Sequence, residues 1–240
     1  YDRERLIDVG WDMQLAEGVR IRPAPGEEMA VLAALGGAAA VRRNLLDNWY
    51  FGNPVNQRGE TSYTGIVYTI DRWKSRVSTQ TVSVEDGCIK TNSPTATGFL
   101  TQYLESCPPG KYTASVLVKS VSGTPTASGH YAVIYTSDGT NTMGTAYIKT
   151  AGLHFFTFDA SVNVSTFQLQ TYTGCTIEVV AVKLETGDTQ TLAHQDEDGN
   201  WQLNEIPNYA EELAKCQRFQ YVINGYASAA GVLTSSKGVL

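Results

Sequence analysis

From residue 44 onward, apolar and polar residues alternate in short runs broken by Gly, Asn, Asp and Pro, the pattern of half-buried β-strands joined by tight turns. In one run Tyr112, Ala114, Val116 and Val118 fall on one parity and Lys111, Thr113, Ser115 and Lys119 on the other, which predicts a strand with one buried and one wet side. Glu85-Asp86-Gly87-Cys88 centres an Asp-Gly pair, the signal of a type I′ hairpin. A two-residue loop there pairs Glu85 with Cys88 and Val84 with Ile89, and puts Val82, Val84, Ile89 and Thr91 on one face. Further strands are predicted over 130–136, 153–159, 164–172 and 176–184. In the last, Val179, Val180, Ala181 and Val182 are apolar on both parities, so it belongs in the middle of a sheet with both faces covered. Strands this short, without alternating helices, predict an all-β fold: a jelly-roll β-sandwich of two antiparallel sheets with short flanking helices. Its first strand, near 45–48, is expected beside its last, near 179–184. No fixed internal period points to a propeller or β-helix.

The flanks read differently. Residues 1–43 combine a charged front, a Pro-rich hinge at Arg22-Pro23-Ala24-Pro25-Gly26 and an Ala-rich stretch. From Glu27 the sequence carries acids in a first helical turn and Gly36-Gly37 behind its last periodic residue, predicting a short helix. A helix of about ten residues does not hold itself in water, so it needs a partner, such as copies of itself about a symmetry axis. A second helix is predicted over 209–218: Asn208 can cap it, Glu211 sits at the capping-box position, and Tyr209, Leu213 and Cys216 share a face. It feeds Tyr221-Val222-Ile223, the first strand of another β unit, with a turn at Asn224-Gly225. The expected division is therefore 1–43, an attachment or linker segment; 44–186, the sandwich; 187–220, linker and helix; and 221–240, the start of a further β domain. Because the sequence opens on Tyr1 and stops at Leu240 inside an apolar run, it is expected to be part of a longer protein.

Composition narrows the partners. With 18 Lys and Arg against 24 Asp and Glu, the net charge of −6 offers no field to hold a phosphate backbone, and no basic cluster is interleaved with stacking aromatics. Nucleic acid is not expected as a ligand. The 13 tyrosines and a charged fraction of 18% suit Thr/Tyr-rich strands. Cys88, Cys107, Cys175 and Cys216 lack both C-x-x-C spacing and the density of a disulfide scaffold, which predicts free buried thiols made in a reducing cytoplasm. No stretch approaches the ~18 uninterrupted apolar residues of a membrane span and no signal-peptide pattern opens the sequence, so membrane insertion is not expected.

Candidate chemistry is sparse. There is no G-x-S-x-G elbow, and His130, His154 and His194 stand apart from any nucleophile or H-E-x-x-H pattern, so no catalytic residue is assigned and the chain is expected not to be an enzyme. Two distant carboxylates meeting in space would still make a glycosidase. Asp196, Asp198 and Asn200 place oxygens on alternate residues beside Gly199, but the glycine position and following Glu of a calcium loop are missing. A solvated Asp-Gly turn that delivers Trp201 into the core or a subunit contact is expected instead, and neither metal nor cofactor is assigned. Sugar binding calls for flat aromatic faces with amides and carboxylates nearby for the hydroxyls. Tyr103, Tyr131, Tyr135 and Tyr147 are the candidates, with Asp138, Asn141 and His130 in or beside their loops. Tyr131 and Tyr135 share strand parity with Val133 and so fit core or interface as well. Trp73 is expected in the core, with Arg72 bridging Asp71 or a neighbouring carboxylate.

Three blocks carry a resemblance. Asn44-Leu45-Leu46-Asp47-Asn48 through Phe51, then Asn53-Pro54-Val55-Asn56-Gln57-Arg58-Gly59, then Tyr68-Thr69-Ile70-Asp71-Arg72-Trp73 resemble the opening of phage and prophage tail-fibre proteins. Val182-Lys183-Leu184-Glu185-Thr186-Gly187 is similar to the stretch that closes their jelly roll. Residues 209–219 look like the helix that leads into their terminal β domain, and Ala34–Ala39 is similar, less specifically, to the Ala/Leu-rich repeats of fibre shafts. The resemblance spans 44–219, and 81–173 carries no recognised signature. It implies a homotrimeric virion component, made in the host cytoplasm, whose sandwich resembles carbohydrate-binding modules and contacts bacterial surface polysaccharide. Its N-terminal segment would join other tail or baseplate proteins. Some family members serve only as structural adaptors, and a depolymerase is the third possibility. The sequence departs from the family pattern at its end, where the terminal β domain is barely begun.

Overall fold

The computed structural model describes residues 11–16, 18–23, 41–105, 107–220, 222–224 and 237–239. The helix expected from Glu27, the stretch Ala34–Ala39 and the turn at Asn224-Gly225 lie outside the described residues. Contacts divide the chain into Tyr1–Val41 and Arg42–Leu240.

In the first unit β1 (Trp11–Ala16) and β2 (Gly18–Pro23) form an antiparallel hairpin, with Trp11 opposite Pro23 and Ala16 opposite Gly18. The front of the chain thus contains strands rather than only charge and hinge. The signal lies in Trp11, Met13 and Leu15 alternating with Asp12 and Gln14, and in Val19 and Ile21 alternating with Arg20 and Arg22. Pro23 is tolerated because it ends its strand.

The second unit is a sandwich of two antiparallel sheets. One holds, in spatial order, β11 (Gly152–Ala160), β8 (Gly110–Gly123), β13 (Cys175–Thr186), β6 (Cys88–Ser93), β5 (Thr81–Glu85) and β3 (Ser62–Thr64). The other holds β10 (Thr142–Ile148), β9 (Ala132–Ser137), β12 (Thr166–Thr171), β7 (Gly98–Tyr103) and β4 (Lys74–Ser75). From β6 onward the chain crosses repeatedly between the sheets, as a jelly roll requires. The 81–93 hairpin has the expected register, Glu85 opposite Cys88 and Val84 opposite Ile89. Asp86 (φ 48°) and Gly87 (φ 72°) supply the two left-handed residues of the primed turn.

Val82, Ile89, Val116, Ile177, Val179 and Val182 from one sheet meet Leu100, Ile134, Phe167 and Leu169 from the other, all of them buried. Trp73 is fully buried, as expected, and sits edge-on to Phe51 (5.4 Å, 74°) and Phe167 (6.1 Å, 86°). Its indole N–H donates to the Asn48 carbonyl at 2.9 Å, so the large ring is buried without an orphaned donor.

β13 lies third in its sheet with both faces covered. β6 pairs with it only from Cys175 to Val179. Beyond that point its edge groups would be unpaired, and residues 44–51 fill the gap: Leu45 N–H donates to Leu184 O (2.8 Å), Val182 N–H to Trp49 O (3.1 Å) and Phe51 N–H to Val180 O (2.8 Å). The first and last segments of the sandwich therefore touch.

The wet side expected for β8 is wet only at its ends, where Lys111 and Lys119 are exposed. Thr113 and Ser115 are fully buried, as are Lys183 and Glu185 opposite them on β13. Residues 187–206 lie across this outer face and include the hairpin β14 (Ala193–Gln195) and β15 (Trp201–Leu203). Thr113 Oγ1 donates to Gly187 O (2.9 Å), Lys183 Nζ to Glu205 Oε1 (3.0 Å) and Thr191 N–H to Glu185 Oε1 (2.7 Å). Local alternation cannot foresee a cover supplied by a segment that is distant in sequence.

Helix α1 (Tyr209–Gln217) is capped by Asn208, whose side chain accepts from Ala210 N–H at 2.9 Å. The buried residues are Glu212 and Cys216, while Tyr209 is exposed, so the stripe differs from the one expected through Tyr209, Leu213 and Cys216. The reason is polar: Asn48, held at φ 51°, presents a buried amide that donates to Glu212 Oε2 at 2.6 Å. Arg72 bridges to Asp47 (3.0 Å) and stacks on the Phe219 ring (3.4 Å), leaving Asp71 to Arg58 (3.3 Å). β16 (Val222–Asn224) pairs antiparallel with β17 (Lys237–Val239).

Candidate functional site

Strand pleating presents every second residue of the five-stranded sheet outward. Inward go Ser75, Leu100, Ile134, Thr136, Phe167 and Leu169, all buried. The register then arranges the outward residues in rows across the strands. Tyr147 lies opposite Val133, Val133 opposite Gln170, and Gln170 opposite Phe99. The next row runs Thr145, Tyr135, Gln168, Thr101 and Lys74. A third holds Ser137, Thr166 and Tyr103.

The floor of this face is a joined set of hydrogen bonds. The Tyr135 hydroxyl donates to Gln168 Oε1 (2.9 Å), Thr101 Oγ1 donates to the same oxygen (3.4 Å), and Gln168 Nε2 donates to Thr166 Oγ1 (3.1 Å). Thr166 also shares a 2.7 Å bond with Ser137. Thr101, Thr166 and Gln168 are buried although they point away from the core. Burial pushes the Tyr135 hydroxyl above its ordinary pKa, and the positive charge of Arg76 pulls it partly back.

Aromatic surface rises beside the floor. Tyr147 is 50% and Tyr103 44% exposed, and Tyr135 and Phe99 are half-buried. Tyr147 stacks on His130 with ring centroids 4.3 Å apart and planes at 16°, which holds one of its faces. Tyr131 is half-buried and packs against the core. Asp138 and Asn141 lie in the β9–β10 turn. There Asp138 Oδ1 accepts from Thr140 N–H (2.7 Å) and Asn141 N–H (2.6 Å), and its Oδ2 accepts from Asn141 Nδ2 (3.1 Å). The bonds from Asn141 and Thr140 hold the Asp138 carboxyl below its usual range and commit both side chains to the turn.

Sequence reasoning missed Phe99, Thr101, Gln168, Gln170, Lys74 and Arg76. The legible signal was Gln168 and Gln170 alternating with Phe167 and Leu169, a half-buried strand whose wet positions are amides rather than charges.

The other outer face holds a groove. Tyr50, Leu117, Val180, Trp201, Leu203 and Ile206 line an open space of about 430 Å³ between the β14–β15 hairpin and its sheet. The turn before Trp201 is pinned by Asp196, whose Oδ1 accepts from Asp198 N–H (3.1 Å) and Asn200 N–H (2.8 Å), with its carboxyl held low by Gln202 and these amides. Cys88, Cys107, Cys175 and Cys216 are free and buried. Among the described residues no three His, Cys, Asp or Glu side chains converge as a metal site, and no helix is long and apolar enough to cross a membrane.

No family model and no curated protein matches the chain. Solved structures similar to it include the module BiXyn10A CBM1 in its apo form, at 15% identity over 60% of this chain and 99% of that one, with a TM-score of 0.38. TmCBM61 in complex with β-1,4-galactotriose is similar at 15% identity, over 60% and 99%, with a TM-score of 0.35. The family 11 carbohydrate-binding module from Clostridium thermocellum, in complex with a β-1,3-1,4-mixed-linked tetrasaccharide, has 10% identity over 63% and 100% and a TM-score of 0.29. At scores this low the likenesses carry no functional weight, and the fold rests on the strand pairing above.

Proposed function

We propose that this chain is a non-catalytic glycan-recognition module that binds on the outer face of its five-stranded sheet. The observation that carries this is the ladder on that face, in which Tyr147, Tyr135, Phe99 and Tyr103 stand beside Gln168, Gln170 and Thr101. Aromatic rings offer flat apolar surface to the faces of a pyranose, and amides and hydroxyls can both donate to and accept from sugar hydroxyls. The tail-fibre resemblance of 44–219 supports a place in a phage or prophage virion, with bacterial surface polysaccharide as the ligand and a homotrimer as the assembly. A shallow face gains little per ring, so three copies acting together supply the avidity.

The test is a glycan array followed by affinity gel electrophoresis of the full chain, with Tyr147→Ala and Tyr103→Ala as variants. Binding that survives EDTA, without release of reducing sugar, and that weakens at least fivefold in either variant at unchanged circular dichroism is the expected result. Wild-type binding by both variants removes this face from consideration. A structural-adaptor role is the second reading, favoured by the Trp201 groove, whose rim residue Ile206 is 70% exposed. An array and host cells that both fail to bind the protein, with a stable trimer in light scattering, would put that reading first.

A further inference from the structure

We infer that the glycan taken by this face is acidic, with its carboxylates held by Lys74 and Arg76 at the β4 margin. This rests on the sheet-face reading above and adds the ligand's charge to it.

Acids outnumber bases in the chain, 24 to 18, yet none of the residues of β4, β7, β9, β10 or β12 is Asp or Glu. The opposite sheet carries Glu85, Asp159, Glu178 and Glu185. Lys74 and Arg76 flank Ser75, which is fully buried and points inward, so both cations belong to the outward side of the strand edge. Lys74 lies opposite Thr101, and the Arg76 amide donates to the Phe99 carbonyl at 3.0 Å, which fixes the two beside the floor residues.

Most other cations of the sandwich are neutralised, Arg58 by Asp71, Arg72 by Asp47, Lys90 by Glu85, Lys111 by Asp159, Lys119 by Glu178 and Lys183 by Glu205, with Lys149 at the end of β10 the exception among the described residues. Among the described residues neither Lys74 nor Arg76 forms an ion pair. Lys74 instead lies 5.4 Å from the centre of the Tyr68 ring, and Tyr68 is itself 45% exposed. The charge of Arg76 is felt at the Tyr135 hydroxyl, beside the Gln168 amide. A uronate ring lying on this aromatic and amide surface can set its carboxylate against the planar fork of Arg76, which matches it with two parallel N–H donors, and against the point charge of Lys74. No carboxylate on the strands repels it.

The experiment compares matched ligands that differ only in charge. The full chain is run in affinity gels containing polygalacturonate, alginate or hyaluronate, and in gels containing the methyl ester of each. At least one acid should retard the protein with a dissociation constant tenfold or more below that of its ester. The double variant Lys74→Ala/Arg76→Ala should lose that difference, acid and ester retarding it equally, at unchanged circular dichroism. Equal retardation by acid and ester, or an acid preference that survives in the double variant, overturns the inference and leaves the sheet-face reading standing. Retardation by none of the polymers, with a silent glycan array, overturns both.

Discussion

Lys183→Met tests how the outer cover of the six-stranded sheet is held. Lys183 and Glu185 are both fully buried, 3.9 Å apart, and Lys183 donates to Glu205, which is 36% exposed, at 3.0 Å. Methionine keeps the side-chain length and removes the charge. Glu205 can then turn to water, but Glu185 cannot, because its oxygens are fixed by Thr191 N–H and Thr191 Oγ1. Removing one partner of a buried ion pair costs about 3–5 kcal/mol, and with only one carboxylate stranded the low end, ~3 kcal/mol, applies. For a domain of about this size that corresponds to a melting point lower by roughly 6–12 °C. Urea unfolding followed by near-UV circular dichroism reads the free energy, and a thermal scan reads the midpoint. Adding Glu185→Gln removes the stranded charge while keeping an acceptor for Thr191, so Lys183→Met/Glu185→Gln should recover at least half of the loss. If Lys183→Met unfolds within ~1 kcal/mol of wild type and the second substitution changes nothing, the pair does not hold the 187–206 segment.

Two further outcomes follow from local chemistry. The buried Cys216 thiol is pushed up to about 12 by burial, with Asp71, Asp47 and Glu212 adding to the shift. A folded pKa above the unfolded value gives stability that is intact below about pH 9 and is lost as pH rises toward 12, so alkaline unfolding should begin later in Cys216→Ala than in wild type. Identical alkaline midpoints would refute the assignment. Gly87→Ala and Gly123→Ala form a contrasting pair. Gly87 has open space and its substitution carries only the left-handed penalty of ~1–2 kcal/mol, whereas a Cβ on Gly123 would come to 2.1 Å from the Gly174 carbonyl oxygen, so Gly123→Ala should be much the more destabilised in urea titration.

Much of the sandwich was legible because its signals are local. The Asp86-Gly87 turn fixed the hairpin register, the two-sided apolar run marked β13 as central, and Asn208 marked the start of α1. What stayed hidden depends on distant residues. The parity of Thr113 and Ser115 says nothing of a cover that arrives with 187–206, and the choice of Glu212 over Tyr209 depends on a backbone amide at Asn48. The candidate face was half visible. Tyr103, Tyr135 and Tyr147 stand out as aromatics, but the floor of Thr101, Thr166 and Gln168 exists only once β7, β12 and β9 are in register. Asp138 and Asn141, chosen for their polar atoms, spend those atoms on their own turn.

The two outer faces of the sandwich are used differently, and the sequence of the sheets explains why. The six-stranded sheet carries Lys183 and Glu185 outward, and their burial requires a covering layer that the 187–206 segment provides through Glu205 and Thr191. The five-stranded sheet carries amides, hydroxyls and tyrosines outward, which satisfy one another across the strands and need no cover. The segment after β13 therefore gains by lying on the first face and has nothing to pair with on the second. Among the described residues its remaining contacts go to the end of the sandwich, where Glu212 meets Asn48 and Phe219 meets Arg72. The face that no described segment covers is the one whose polar groups are already hydrogen-bonded to one another, so a ligand there meets a preorganised surface and loses little in ordering it.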